Sequence, residues 1–310
     1  MKASALKKGD TVALIAPASA PQVHERVTAS IKYFEKLGYR VELGKHIESK
    51  YGYLAGTDVE RLDDLHTMFR RKDVKAIFFI RGGYGSIRLL PFIDYKLIEA
   101  NPKILVGYSD ATALFSAIYK KTGLQSMFFG PMPGVDIWNG FDHFAEEIMW
   151  RSLTSKKPYG ILPAKANEID AMGKSRRGTS EGRVVGGNLA VFSSILGTPY
   201  APNLSGSILL FEDIGEEPYR LDRYFAQLRA AGAIERAKGI LLGQFTDCGP
   251  VKGRPSLTLK QVFKDYFGDV AAPVVTNLPF GHIRRQWTIP FGAKILIEGT
   301  MVSIRESVLK

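Results

Sequence analysis

A single cysteine, Cys248, in 310 residues rules out an internal disulfide and any cluster of thiolate metal ligands, and it fits a reducing compartment. Long apolar runs are also missing. Residues 11–16 follow Met1, Lys2, Lys7 and Lys8, but they are too few for the core of a signal peptide and are ended by Pro17. Nothing approaches the roughly 18 apolar residues of a membrane span, so a cytoplasmic protein with no membrane partner is expected. The H-E-x-x-H pattern and Cys/His clusters are absent, so no metal and no other cofactor is implied. There is no internal repeat or low-complexity tract, which removes solenoid and disordered architectures.

What the chain does hold is an ordinary globular composition, 45% apolar and 24% charged, and enough length for two domains of roughly 150 residues each. The net charge is +11, with 20 basic and 17 acidic side chains in residues 1–150 against 22 and 14 in 151–310. Much of the surplus lies in a stretch where Lys156, Lys157, Lys165, Lys174, Arg176 and Arg177 are interspersed with Pro, Gly and Ser. Residues 156–178 therefore read as a solvated linker between an N-terminal domain, 1–155, and a C-terminal domain, 179–310. A nucleic-acid partner would require a recognisable module or aromatic residues interleaved with the basic run, and it is excluded on that ground.

The first domain alternates short β-branched runs with helical periodicity. Residues 11–16, 39–43, 75–80 and 104–108 read as strands. Val23, Val27, Ile31, Phe34 and Leu37 share one helical face, which Gly38 ends. Thr57 and Glu60 form a capping box ahead of Leu62, Leu65 and Phe69, and residues 111–119 read as a further helix. The alternation predicts an α/β fold, a parallel sheet with flanking helices. The second domain reads as smaller and β-rich. Its strands are expected over 207–211, 239–244, 274–277, 294–298 and 301–305, and its helices near 218–231 and 259–267. Gly299-Thr300 should close a final hairpin.

Chemistry is sharpest at Val106-Gly107-Tyr108-Ser109-Asp110-Ala111, where small residues allow a tight strand-to-helix turn that lifts a serine hydroxyl above a sheet. The same turn offers N–H groups at a helix N-terminus to an oxyanion, although Ser109 also fits a plain N-cap. A nucleophilic serine needs a base. Of the five histidines, His24, His66 and His143 fall in polar helical segments and His46 in a loop. His282 follows Asn277-Leu278-Pro279-Phe280-Gly281 just past a strand end, where α/β proteins place catalytic loops, so it is either the base or a structural histidine. Glu212 ends the apolar run Ile208-Leu209-Leu210-Phe211 and is the candidate for orienting it. Asp213 should then point the other way along the strand. Arg81-Gly82-Gly83-Tyr84-Gly85 lacks dinucleotide G-x-G-x-x-G spacing; it is a tight turn or a second source of oxyanion N–H groups. Gly186-Gly187-Asn188-Leu189 enters another helix, with Asn188 either a cap or a substrate contact.

Taken together these residues resemble the LD-carboxypeptidase family of serine peptidases, which also includes the microcin C self-immunity peptidases. The resemblance is carried from end to end by Gly9-Asp10-Thr11-Val12, Ala16-Pro17-Ala18-Ser19, Arg81-Gly82-Gly83-Tyr84-Gly85, Gly107-Tyr108-Ser109-Asp110, Gly130-Pro131-Met132, Gly186-Gly187-Asn188-Leu189, Glu212-Asp213, Pro218-Tyr219-Arg220-Leu221-Asp222-Arg223 and Leu278-Pro279-Phe280-Gly281-His282. It implies a Ser-His-Glu triad of Ser109, His282 and Glu212, with an oxyanion hole from the N–H groups of Asp110 and of Gly82 or Gly83. Arg81, Tyr84, Asn188, Arg284 and Arg285 are the candidate substrate contacts. It further implies a murein peptide as substrate, cleaved at the L,D bond before a terminal D-alanine during cell-wall recycling, and a homodimer as a possible assembly. An immunity-type peptidase acting on acyl-adenylates, with an aromatic wall from Trp138, Trp150 or Trp287, is the related alternative. A non-enzymatic small-molecule-binding protein is the alternative of another class.

Overall fold

A computed structural model describes residues 1–138, 140–165, 168–175 and 178–310; Arg176 and Arg177 of the basic stretch lie outside the described residues. The first half sets five parallel strands, β1 (Thr11–Ile15), β2 (Arg40–Leu43), β3 (Val74–Phe79), β4 (Ile104–Gly107) and β5 (Met127–Phe129), beside helices α1 (His24–Lys36), α2 (Asp58–Arg70), α3 (Tyr95–Ala100), α4 (Ala111–Thr122) and α5 (His143–Thr154). Period-two alternation splits β1 between two cores. Val12 and Leu14 join Phe34, Met149 and Leu153 of α1 and α5, while Ala13 and Ile15 join Leu65, Phe69 and Phe115 of α2 and α4. Helices thus cover both faces, as a parallel sheet requires. The capping box forms as expected, with Thr57 Oγ1 accepting from Glu60 N and the Glu60 carboxylate accepting from Thr57 N at 2.7 Å.

The second half contributes β6 (Gly160–Ile161), β7 (Asp170–Met172), β8 (Thr179–Asn188), α6 (Leu189–Ile195), β9 (Ser207–Ile214), α7 (Pro218–Ala230), α8 (Ala233–Arg236), β10 (Gly239–Thr246), α9 (Leu259–Phe267), β11 (Val274–Thr276), β12 (Ile289–Pro290), β13 (Lys294–Glu298) and β14 (Met301–Ile304). Eight of these strands form a second sheet in the order β6-β14-β13-β8-β9-β10-β11-β7. The expected closing hairpin is there, with Glu298 opposite Met301. The ten-residue strand β8, unread in the sequence because its sequence TSEGRVVGGN is polar and Gly-rich, runs through Gly186-Gly187 straight into α6. The stretch read as a linker carries β6 and β7, the two edges of this sheet; strands of two and three residues leave no periodicity to detect. Among the described residues no helix is long and apolar enough to cross a membrane.

The first sheet runs β12-β5-β4-β3-β1-β2. Its strand order reverses between β1 and β3, and at such a switch the loops leaving neighbouring strands part and open a crevice at their carboxyl ends. The halves meet close by. Gly187 lies against Thr112 in the first turn of α4, and Asn188 N donates to Thr112 Oγ1 at 2.9 Å with Thr112 fully buried. Thr112→Val keeps the shape and strands the Asn188 N–H in a dry contact, which costs about 1–3 kcal/mol. A fall of that size in unfolding free energy by urea titration is expected, and unchanged stability would show that the contact does not tie the halves together.

Candidate active site

Ser109 leaves β4 with φ of 60°, a left-handed conformation uncommon for a residue with a Cβ, and α4 begins two residues later. Strain of this kind persists only where neighbours enforce it. Here the enforcement is visible. The buried Asp110 carboxylate accepts from Ser86 N at 2.8 Å, which fastens the loop after β3 onto the turn after β4. Gly82 on that loop lies so close that a Cβ would sit 2.9 Å from Ser109 Cβ and 3.0 Å from Ser109 Oγ, and 3.5 Å from Asp110 N. Gly82 O accepts from Ser19 N at 3.2 Å, so the loops after β1, β3 and β4 converge on one point. Burial raises the Asp110 pKa, and the N–H groups of Ser86 and Gly85 oppose the rise.

Glu212 and His282 come from the other half. Glu212, near the end of β9, is fully buried, and its Oε2 lies 2.6 Å from His282 Nδ1. This bond leaves Nε2 as the imidazole nitrogen that can take up or give a proton at the site. Gly281 makes the approach possible: its φ is +110° and a Cβ there would lie 2.8 Å from Glu212 Oε2. The Tyr108 ring stands edge-on to the imidazole, centroids 5.0 Å apart at 70°, so the residue before Ser109 touches His282 directly. Burial by itself lowers the His282 pKa, but the charge and hydrogen bond of Glu212, with Asp213 and Asp136 behind them, outweigh it and hold the pKa above the ordinary value.

Strand alternation sends Asp213 the opposite way. Its carboxylate accepts from Asn188 Nδ2, Ala190 N and Ile214 N, each at 2.9 Å, and burial pushes its pKa up to about 6. Asn188 is thereby engaged at both ends of its amide, since its Oδ1 caps α6 at Val191 N, 3.1 Å away; of its two sequence readings it has the geometry of the cap. The other histidines lie elsewhere. His24 pairs with Glu48 at the surface, His66 accepts from Asp94 N at 3.0 Å, and His143 is exposed. His46, in the connection between β2 and α2, brings a ligand atom within 4.8 Å of Asp63 and Asp64 of α2, and Asp64 already accepts from His46 N. The Cys248 thiol, buried and pushed up to about 11, carries no thiolate at neutral pH.

Arg81 and Tyr84 flank the two glycines of the β3 loop. Arg81 is half-buried, donates to Ala20 O at 3.1 Å, and has its pKa lowered by burial and then by the neighbouring Arg26. Among the described residues neither Arg81 nor Arg26 is ion-paired. Tyr84 is 49% exposed and meets Tyr53 edge to face. Arg285 lies over the Phe144 ring at 3.9 Å, and Arg284 donates to Gly140 O at 2.7 Å. Trp150 stacks on Tyr39, and Trp287 is buried with its indole N–H on Pro163 O at 2.7 Å. Trp138, at the end of a π-helical turn over Pro133–Ile137, carries the Arg26 guanidinium over its ring. The turn also holds Asp136, a lone Asp in Pro-Gly-Val-Asp-Ile that no sequence motif marks.

The fold and this geometry define a two-sheet α/β protein with its site where the sheets meet. Residues 12–130 match the N-terminal domain of LD-carboxypeptidases and residues 181–297 the C-terminal domain. The chain therefore belongs to the LD-carboxypeptidase family of peptidases. It is 42% identical over 293 residues to the probable murein peptide carboxypeptidase of Bacillus subtilis, covering 94% of this chain and 90% of that protein. It is 36% identical to the murein tetrapeptide carboxypeptidase of Pseudomonas aeruginosa, covering 93% of each. The solved structure of the microcin C7 self-immunity protein MccF, a protein of Escherichia coli, aligns over 100% of both chains with a TM-score of 0.86 at 29% identity.

If Glu212 sets the state of His282, Glu212→Gln removes a negative charge and the imidazole pKa must fall. Imidazole ¹⁵N shifts followed against pH are expected to give a midpoint lower than wild type by about one unit or more; an unchanged midpoint would contradict the coupling.

Proposed function

We propose that this protein is a serine L,D-carboxypeptidase that releases terminal D-alanine from murein tetrapeptides in the cytoplasm during cell-wall recycling. The observation that carries the reading is the fully buried Glu212 bonded to His282 at 2.6 Å, beside the strained turn that presents Ser109. Ser109 Oγ attacks the carbonyl before D-alanine while His282 Nε2 takes its proton, and Glu212 steadies the imidazolium that results. The N–H groups of Asp110 and of Gly82 or Gly83 receive the oxyanion, for which the closeness of Gly82 to both Ser109 and Asp110 N is suited. His282 returns the proton to the departing amine of D-alanine. It then takes one from the water that hydrolyses the acyl-enzyme, and Ser109 is restored.

An exopeptidase must also recognise the free carboxylate it leaves on the released residue. Arg81 is the group we assign to it. It is a half-buried guanidinium that faces another guanidinium instead of an acid, one residue from Gly82, so an incoming anion relieves both its desolvation and its repulsion from Arg26. Tyr84 is exposed on the same loop, Arg284 donates to Gly140 O, Arg285 lies over the Phe144 ring, and Asn188 acts by positioning α6. The tryptophans favour a murein peptide over an acyl-adenylate, because Trp287 is buried, the half-buried Trp150 is engaged by Tyr39 and Tyr33, and Trp138 already carries Arg26.

Incubated with murein tripeptide, tetrapeptide and pentapeptide, the protein is expected to convert only the tetrapeptide, to tripeptide and D-alanine, as mass spectrometry will read directly. Attack on an internal bond, or no product from the tetrapeptide, would contradict the reading. Ser109→Ala should fold normally and lose essentially all turnover, and Glu212→Gln should lose roughly 10²- to 10⁴-fold in kcat with a much smaller change in KM. Arg81→Met should raise KM by roughly tenfold or more and erase the preference for tetrapeptide over its C-terminal amide; a preference that survives would assign the carboxylate to another group.

A further inference from the structure

Asp136 sits on the π-helical turn Pro133–Ile137 with its carboxylate turned towards the segment that carries His282. Oδ2 accepts from Met132 N at 2.7 Å, which closes the turn. Oδ1 accepts from Gln286 Nε2 at 3.1 Å and faces the Tyr108 hydroxyl at 3.5 Å. Both of these partners lead to the imidazole. Tyr108 presents its ring edge-on to His282, and the buried Gln286 uses the same amide nitrogen to hold Ile283 O at 2.9 Å, on the residue after His282.

Resting on the serine carboxypeptidase reading, we propose that Asp136 is a positioning residue for His282, a second carboxylate that holds the imidazole through Tyr108 and Gln286 and supports the imidazolium formed when Ser109 gives up its proton. A simple helix-turn acid would be exposed and bonded only to its own turn; this one is tied to two other segments that both touch the base. The charges around the pair agree. His282 meets Glu212 from β9 and the Tyr108 ring just past β4, and it feels the charges of Asp136 from the turn and of Asp213, which points away along β9. Asp136 in turn faces His282 and Arg284 from the segment after β11 and Tyr108 from the turn after β4. Arg26 of α1 packs on the same turn, where it donates to Gly134 O at 3.1 Å. Burial pushes the Asp136 pKa up to about 7, so its charge changes in the range where His282 works.

The sign of the effect is fixed. A negative charge near an imidazole favours the protonated form, so removing it lowers the imidazole pKa. The free enzyme needs neutral His282 as base, so the acid limb of kcat/KM in Asp136→Asn should move to lower pH by about half a unit to one unit. The plateau kcat should fall roughly threefold to thirtyfold, because the imidazolium loses support, while KM changes little. Tyr108→Phe keeps the ring and the Asp136 charge, so its limb should move less than that of Asp136→Asn. Should Asp136→Asn not fold, Gln286→Leu removes one donor that stabilises the Asp136 anion and should move the limb in the same direction by a smaller step. The imidazole titration is repeated in the Ser109→Ala protein with and without Asp136→Asn, which tests Asp136 even if the wild type releases no D-alanine and the functional reading falls. A limb and an imidazole midpoint that stay in place, or rise, would overturn the proposal; loss of stability with an unmoved pH profile would mark Asp136 as structural only.

Discussion

A carboxylate sealed from water is costly unless a charge or a hydrogen bond answers it. Glu212 has no exposed surface at all, and His282 answers it at 2.6 Å. Much of the surrounding structure serves that one bond. The parallel neighbours β8 and β10 bury β9, so that Glu212 leaves the sheet at a fixed height. Gly281 lets the following loop pass within reach, and a side chain there would occupy the space that the carboxylate uses. With its carboxylate fixed, the imidazole has one free nitrogen and one orientation, as the proposed role of base to Ser109 requires.

The serine is delivered by an independent route. Three loops at the carboxyl ends of β1, β3 and β4 lean on one another through Ser19–Gly82, Gly82–Ser109 and Asp110–Ser86, and their joint packing holds Ser109 in a backbone conformation that it would not choose alone. The two routes are joined by contacts that are not themselves reactive. Thr112 in α4 takes the Asn188 N–H, Asn188 reaches Asp213, and Asp213 is the strand neighbour of Glu212. Ser109 and Glu212 are therefore connected through a few short, buried hydrogen bonds although they belong to different sheets, and the continuous core beneath them draws on both halves of the chain. Placement of this kind, from strands and helix starts with buried partners, fixes side chains more closely than mobile loops can.

Much of this was legible in the sequence because it was written in local periods. The strands β1 to β4, the helices α1, α2, α4, α7 and α9 and the last hairpin all announce themselves by apolar alternation, 3.6-residue spacing or a cap such as Thr57 with Glu60. The opposite directions of Glu212 and Asp213 follow from strand geometry alone. The strand β8 was hidden because Thr, Ser, Glu, Gly and Arg fill its first half, and its support comes from neighbours distant in sequence. The edges β6 and β7 were hidden because two or three residues carry no period. Asp136 was hidden for a related reason: its meaning lies in Tyr108 and Gln286, which are far from it in sequence, and no spacing within Pro133–Ile137 records that contact.

The central claim is that the geometry built around Glu212 and His282 makes Ser109 a nucleophile. A fluorophosphonate probe reads this without any assumption about the natural substrate, because it phosphonylates only an activated serine. Peptide mapping after a brief exposure should place the adduct on Ser109 in the wild-type protein, with labelling lost in His282→Ala while circular dichroism stays native. No adduct on a folded wild-type protein, or labelling of Ser109 that is indifferent to the loss of His282, would contradict the account.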